Sequence, residues 1–211
     1  MGREPIRIKR GGYGVVKVYH DLAVKSSRYD LKEEYIMHRW AHKHCRHVAK
    51  IHHRVGNDLH MEAYPHDLSE LREQLNDAER HRILVQLAEC LSDLHQLGYW
   101  HGDIKGNNVL LDEQRNVYVT DWYTSNNGFN CGTRGYLPPE NDRLRIPGDV
   151  WAFGSLIHWL HTGSTPEFDA DWNYPAVESL YNEIMRACHT VDVSSRPRMS
   201  QILELLNHMN Q

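Results

Sequence analysis

One stretch of 23 residues, from Tyr99 to Asp121, constrains the fold of this 211-residue chain more than any other. Two short apolar runs within it, residues 109–111 and 117–119, are separated by five polar residues, which predicts a small two-stranded hairpin. The polar side chains that could perform chemistry stand just before, at the start of, and just after this hairpin: Asp103, Lys105, Asn108 and Asp121. We therefore expect these four side chains to meet in the loops at the hairpin ends.

This set of side chains suits phosphoryl transfer. One carboxylate can orient a hydroxyl, an Asn and an Asp can hold Mg²⁺, and a Lys can neutralise the moving phosphoryl group. The stretch resembles the protein kinases, whose pattern is H-R-D-x-x-x-x-N followed by D-F-G. Here Gly102 replaces the Arg, and Trp122-Tyr123 replaces Phe-Gly. The H-G-D and D-W sequences also resemble the aminoglycoside and choline phosphotransferases.

Motifs after Asp121 favour protein kinases over small-molecule phosphotransferases. They are G-T-x-x-Y-x-x-P-E at 132–140, G-D-V-W-A-F-G at 148–154 and S-R-P at 195–197. By this resemblance, an ion pair between Glu140 and Arg196 pins the segment after Asp121 to the core, where either charge alone would be costly.

The resemblance extends from about residue 6 to residue 208 and implies a bilobal α+β kinase fold. We expect a single kinase domain, with a small antiparallel-sheet lobe with one helix at residues 1–64 and a mainly helical lobe at residues 65–211.

The N-terminal residues resemble the nucleotide-binding lobe of the family. In residues 6–26, apolar and polar residues alternate on either side of a Gly-rich turn, which predicts strands. Aligned with G-x-G-x-x-G-x-V, the turn puts Lys9 in place of the first Gly. Lys25 follows as the Lys that binds phosphates.

A helix over residues 28–42 is expected to supply the carboxylate that pairs with this Lys. Glu33 is preferred over Glu34, because the apolar register of Ile36, Met37 and Trp40 places Glu33 on the buried face.

By resemblance, the remaining contacts to Mg-ATP are as follows. Val16, Ala23 and Leu110 sandwich the adenine, and Met61, Glu62 and Tyr64 form the hinge beside it. Gly11, Gly12 and Gly14 let the backbone approach the phosphates. Asp67 meets a ribose hydroxyl, caps the next helix, or does both. Asn108 and Asp121 bind Mg²⁺, with Mn²⁺ as an alternative. Asp103 is the catalytic carboxylate, supported by Lys105 and Thr133.

The Lys two positions after Asp103 is the form found in Ser/Thr kinases, so the expected activity is ATP-dependent phosphorylation of Ser or Thr in a protein. H-G-D-I-K also resembles the vaccinia-related and poxvirus kinases, and the short chain fits a viral or similarly reduced kinase. Two alternatives stay open. A pseudokinase is suggested by the missing first Gly and by Trp122-Tyr123, although Lys25, Glu33, Asp103, Asn108 and Asp121 are retained. A small-molecule phosphotransferase is suggested by H-G-D and D-W.

Charge is unevenly distributed along the chain. Residues 1–60 carry 13 Lys and Arg against 6 Asp and Glu, whereas residues 61–211 carry 11 against 22. A basic first part suits triphosphate binding, and an acidic remainder suits a protein substrate with basic residues near the phosphorylated site. We expect neither nucleic acid nor a membrane as a partner, and the sequence does not specify an oligomeric state.

The location is expected to be intracellular, in the cytoplasm or the nucleus. The chain has no apolar run near 18 residues and no apolar signal segment at its start. Its four Cys are scattered without a C-x-x-C pair, which favours reduced thiols.

Overall fold

The structure is a computed structural model that describes residues 4–12, 14–122, 133–140, 146–175 and 177–209. The first five strands are β1 Arg7–Gly11, β2 Gly14–Val18, β3 Ala23–Ser26, β4 Ile51–Val55 and β5 Asp58–Met61. They form one antiparallel sheet in the order β1-β2-β3-β5-β4. This sheet confirms the predicted strand-rich first part of the chain.

Helix α1 spans Lys32–His44 between β3 and β4, and so begins later than the predicted residue 28. Just before α1, side-chain oxygens accept hydrogen bonds from backbone amides. The Ser27 hydroxyl accepts from the Tyr29 amide at 3.0 Å, and the Asp30 carboxylate accepts from the Lys32 amide at 2.9 Å. Such local side-chain hydrogen bonds compete with helical ones, which explains the late start.

The second part of the chain contains a small sheet and five helices among its described residues. Their bounds are β6 His66–Asp67, α2 Leu68–Leu71, α3 Asp77–Gln96, β7 Val109–Leu111, β8 Val117–Val119, α4 Ile146–Thr162, α5 Asn182–Cys188 and α6 Met199–His208. The predicted hairpin is confirmed as β7 and β8, with β6 added beside β7.

Helix α3 is the central element of the second part. Asn76 caps it in a reciprocal pair with Glu79, and Gly98, just beyond its end, has a φ of +79° that glycine adopts at little cost. Its apolar stripe is at most 1% exposed: Ile83, Leu84, Leu87, Leu91 and Leu94. This stripe therefore belongs to the core of the second part.

Most of the buried apolar residues that the structure describes form two clusters, a small one under the first sheet and a large one around α3. The two parts are joined where β8 meets the linker after α1. A parallel bridge pairs Val48 with Val119, and the Ala49 amide donates to the Val119 carbonyl at 2.9 Å. This arrangement is the bilobal α+β fold expected from the sequence. The division between residues 64 and 65 remains a prediction.

The predicted ion pair between Glu140 and Arg196 is confirmed. The Arg196 guanidinium forms two hydrogen bonds with the Glu140 carboxylate, at 2.8 and 3.2 Å, and a third with the Pro147 carbonyl at 2.9 Å. The Arg196 side chain is fully buried, and that of Glu140 is 23% exposed. Residues 133–140 are thereby fixed to the helical part.

No helix within the described residues is long and apolar enough to cross a membrane.

Candidate active site

Lys25 lies in β3 and joins two carboxylates from distant parts of the chain. Its ammonium is 2.7 Å from Glu34 in α1 and 2.7 Å from Asp121 after β8. Burial lowers the pKa of Lys25, but the charges of Asp121 and Glu34 outweigh that effect and hold the pKa above its usual value. Lys25 is therefore a fixed cation between the sheet, the helix and the hairpin.

The predicted partner Glu33 is wrong, and Glu34 takes its place. Glu33 is exposed, whereas Glu34 is 2% exposed and lies on the face of α1 that also buries His38 and Ala41. The sequence register assumed that Ile36 is buried, but 52% of it is exposed. His38 is buried on the same face as Glu34, and its ring is hydrogen-bonded to the Ala49 carbonyl at 2.8 Å.

Two adjacent substitutions test this assignment. Glu34→Gln removes the charge that holds Lys25 and should lower kcat/KM about tenfold to a hundredfold, the effect of losing one charge-assisted hydrogen bond. Glu33→Gln, its matched neighbour, should leave kcat/KM unchanged. Steady-state kinetics with varied ATP measures both. A larger loss in the Glu33 variant would restore the original assignment.

Asp103 and its neighbours form a second polar cluster. The Lys105 ammonium donates to the Asp103 carboxylate at 2.6 Å and to the Thr133 hydroxyl at 2.9 Å. The Thr133 hydroxyl donates to the same carboxylate at 3.1 Å, and the Asn108 amide donates to it at 3.2 Å and to the Asp103 carbonyl at 2.8 Å. These contacts bring Asp103, Lys105, Asn108 and Thr133 together, and their roles in a reaction remain a prediction.

The backbone just before Asp103 is held by a buried carboxylate from α4. Asp149 accepts from the His101 amide at 2.6 Å, the Gly102 amide at 2.7 Å and the His95 ring at 2.9 Å. Gly102 has a φ of +82°, which suits glycine. Sequence reasoning placed Asp149 in a motif but missed this positioning role.

Asp121 and Trp122 follow β8 into the same region. Asp121 has a φ of +68°, a conformation that Asp tolerates better than most residues. The Trp122 ring is buried, donates to the Val119 carbonyl at 3.1 Å and packs edge-on against His101 with 4.6 Å between ring centroids. Tyr123, which the sequence singled out beside Trp122, lies outside the described residues, as do residues 124–132.

A cavity of about 460 Å³ lies between the first sheet and the hairpin. Most of the candidate residues line it: Gly11, Gly12, Gly14, Val16, Ala23, Lys25, Met61, Glu62, Tyr64, Asp103, Lys105, Asn108, Leu110 and Asp121. Three candidates, Glu33, Asp67 and Thr133, are not among its lining residues. Asp67 instead caps α2, as the second of its two predicted roles requires.

The glycines of the first turn differ in whether the surrounding structure would accept a side chain. A Cβ on Gly14 would lie 2.4 Å from the Ser26 carbonyl oxygen, so β3 itself requires glycine there. A Cβ on Gly12 would meet no atom within 4 Å. Among the described contacts, therefore, the fold requires glycine at position 14 but not at position 12.

Some cavity residues were not predicted from the sequence: Arg7, Lys9, Arg10, Val18, Ala49, Asn107 and Thr120. Asn107 and Thr120 directly precede the predicted residues Asn108 and Asp121, so their place in the sequence could have suggested that they line the cavity. Lys9 was visible only as the residue that replaces the first Gly.

The residues assigned to Mg²⁺ fit that ion by their chemistry. Mg²⁺ prefers carboxylate and carbonyl oxygens. The Asn108 amide nitrogen is used on Asp103, so its amide oxygen is the atom left for a ligand. One Asp121 oxygen pairs with Lys25. Asn108 and Asp121 both line the cavity.

Comparison with known proteins agrees with this geometry. The family model described as protein kinase domain matches residues 6–209. Ribosomal protein S6 kinase alpha-2 of Homo sapiens is 36% identical over 94 residues, which are 39% of this chain and 13% of that protein. CBL-interacting serine/threonine-protein kinase 7 of Arabidopsis thaliana is 33% identical over 128 residues, 54% of this chain and 29% of that protein.

A further relative, serine/threonine-protein kinase PLK4 of Drosophila virilis, is 27% identical over 133 residues, which are 58% of this chain and 16% of that protein. The matched part thus spans between 13 and 29% of the length of these three curated relatives.

Proposed function

This chain belongs to the protein kinase domain family, and on that premise we propose that it transfers the γ-phosphoryl group of Mg-ATP to Ser or Thr hydroxyls of a protein substrate. The observation that carries the proposal is the convergence of two polar clusters on one cavity. Lys25 with Glu34 and Asp121 forms one cluster, and Asp103 with Lys105 forms the other.

Each cluster has a separate task in the proposed reaction. Lys25, which Glu34 holds in place, binds the α- and β-phosphates. Asp103 orients the substrate hydroxyl and accepts its proton, and Lys105 neutralises charge on the phosphoryl group in transfer. Thr133 keeps Asp103 and Lys105 aligned, because its hydroxyl contacts both.

Asn108 and Asp121 would hold the divalent cation, Mg²⁺ or Mn²⁺. When bound, such an ion would offset the negative charge of the phosphates. The acidic balance of residues 61–211 supports a substrate with basic residues near the phosphorylated hydroxyl.

A phosphorylation assay tests the proposal. The purified chain is incubated with γ-labelled ATP, Mg²⁺ and an array of peptides that carry Ser, Thr or Tyr at the centre, with basic or acidic flanks. We expect Mg²⁺-dependent label on Ser or Thr in basic peptides. Label on Tyr alone, on added sugars or aminoglycosides instead of peptides, or on nothing at all would contradict it.

We also expect activity that does not depend on phosphorylation of the segment after Asp121. Where the family has H-R-D, the Arg is a cation that a phosphate on this segment neutralises. Gly102 removes that cation. In this structure Lys105 and Thr133 already contact Asp103, and Arg196 already holds Glu140.

Phosphatase treatment measures this expectation. The protein should keep most of its kcat after complete dephosphorylation, which mass spectrometry verifies. The double variant Thr124→Ala/Ser125→Ala should behave in the same way, since it removes every Ser and Thr between residues 121 and 140 other than Thr133. A loss of most activity in either sample would show that a phosphate is needed.

A further inference from the structure

Two basic side chains of β1 reach across the edge of the cavity to the start of α2. The Arg7 guanidinium is 2.6 Å from the Glu70 carboxylate and also donates to the Pro65 carbonyl at 2.9 Å. The Lys9 ammonium contacts Asp67 and is 3.0 Å from Glu70. We call these four residues, Arg7, Lys9, Asp67 and Glu70, the clasp. It joins the first sheet to the helical part at one edge of the cavity.

Both carboxylate oxygens of Asp67 are engaged by groups of the protein itself. One of its carboxylate oxygens accepts from the Ser69 amide at 2.9 Å, the Ser69 hydroxyl and the Glu70 amide at 3.1 Å. Its other oxygen is paired with Lys9. Both carboxylate oxygens of Asp67 are therefore engaged, one by three donors of its own turn and the other by the Lys9 ammonium. The residue is 0% exposed and does not line the cavity.

Lys9, in contrast, does line the cavity. In the first sheet, Lys9 pairs with Val16, another residue that lines the cavity. The ammonium of Lys9 lies against Asp67 and Glu70, in the second part of the chain. The Lys9 side chain therefore stands between Asp67 and any molecule in the cavity. An ammonium that already faces two carboxylates gains little from exchanging water for a neutral hydroxyl.

We propose that Lys9 removes Asp67 from nucleotide recognition, so that this protein binds nucleoside triphosphates with little regard to their ribose hydroxyls. The inference rests on the proposed function, in that a nucleotide must occupy the cavity. Lys9 is then a specificity-determining residue, because its presence decides whether a carboxylate is available to the sugar.

The test compares the dissociation constants of ATP and 2′,3′-dideoxy-ATP, measured by calorimetry with Mg²⁺. In the unaltered protein we expect a ratio of about three or less, as for a neutral hydrogen bond exchanged with water. Lys9→Met keeps most of the side-chain length but frees one oxygen of Asp67. The ratio should then rise to about tenfold or more, because hydrogen bonds to a charged group are stronger.

Two further variants separate the causes. Lys17→Met makes the same substitution at an exposed position of β2 and should leave the ratio unchanged. Lys9→Met/Asp67→Asn should return the ratio to that of the unaltered protein, since Asn still caps α2 but no longer offers a carboxylate.

A ratio of about tenfold or more in the unaltered protein, or no increase in the Lys9 variant, would overturn this inference while the proposed function stands. Failure of both nucleotides to bind the unaltered protein would overturn the proposed function, and the inference with it.

Discussion

Replacing Asp103 by Asn should lower kcat by a factor of about 10² to 10⁴, the usual contribution of a positioned general base. Asn keeps the size of the side chain and can still accept from Lys105 and Thr133, which lie 2.6 and 3.1 Å from the carboxylate. It cannot accept a proton from the substrate hydroxyl. The melting temperature should change little, because Asn occupies the same volume as Asp and the hydrogen-bonded neighbours of Asp103 remain.

Rapid-quench or steady-state phosphorylation of the best peptide gives kcat for this variant. Asp171→Asn, the same substitution at an exposed position, serves as the control and should retain full activity. Lys25→Met removes a cation proposed to bind the phosphates, and Asp121→Asn weakens the proposed site of the divalent cation, so each should also reduce transfer by orders of magnitude. Full activity in the Asp103 variant would mean that the assigned mechanism is wrong.

Replacing Arg196 by Met should lower the free energy of unfolding by about 3 kcal/mol, the lower end of the range for breaking a buried ion pair. The substitution leaves Glu140 without its cation and removes hydrogen bonds to the Pro147 and Thr190 carbonyls. The effect is not larger because 23% of the Glu140 side chain can be hydrated. For a protein of this size the melting temperature should fall by roughly 6–12 °C.

Urea unfolding at pH 7 measures this loss, with Arg186→Met on the exposed face of α5 as the matched control. Arg196→Lys should lie between the two, because it keeps the charge but not the paired hydrogen bonds. If Arg196→Met unfolded at the same urea concentration as the control, the ion pair would contribute nothing measurable to stability.

Local patterns predicted the parts of this fold whose cause is local. The β7–β8 hairpin follows from two short apolar runs separated by a polar turn, and the strands of the first sheet follow from alternation around a Gly-rich turn. The meeting of Asp103 with Lys105 follows from the same stretch. The pairing of Glu140 with Arg196, 56 residues apart, came from resemblance to a family, since no periodicity links them.

The failures have an identifiable physical origin. Glu33 was chosen over Glu34 because an apolar register cannot foresee that α1 buries His38 and exposes Ile36. The clasp was missed because Lys9 and Asp67 are separated by 58 residues and meet only when the sheet folds over α2. Charged pairs of this kind leave no repeating signal in a sequence.

The backbone at Gly102 bears on how this protein could evolve. Its φ of +82° is a conformation in which a residue with a Cβ is strained by roughly 1–2 kcal/mol. A mutation to Arg would add the cation needed for control by phosphorylation, but it would also lower stability by that amount. The free energy of unfolding of a domain is only about 5–15 kcal/mol. A change from Gly102 to Arg would therefore be tolerated best in a protein that has first acquired a stabilising substitution elsewhere.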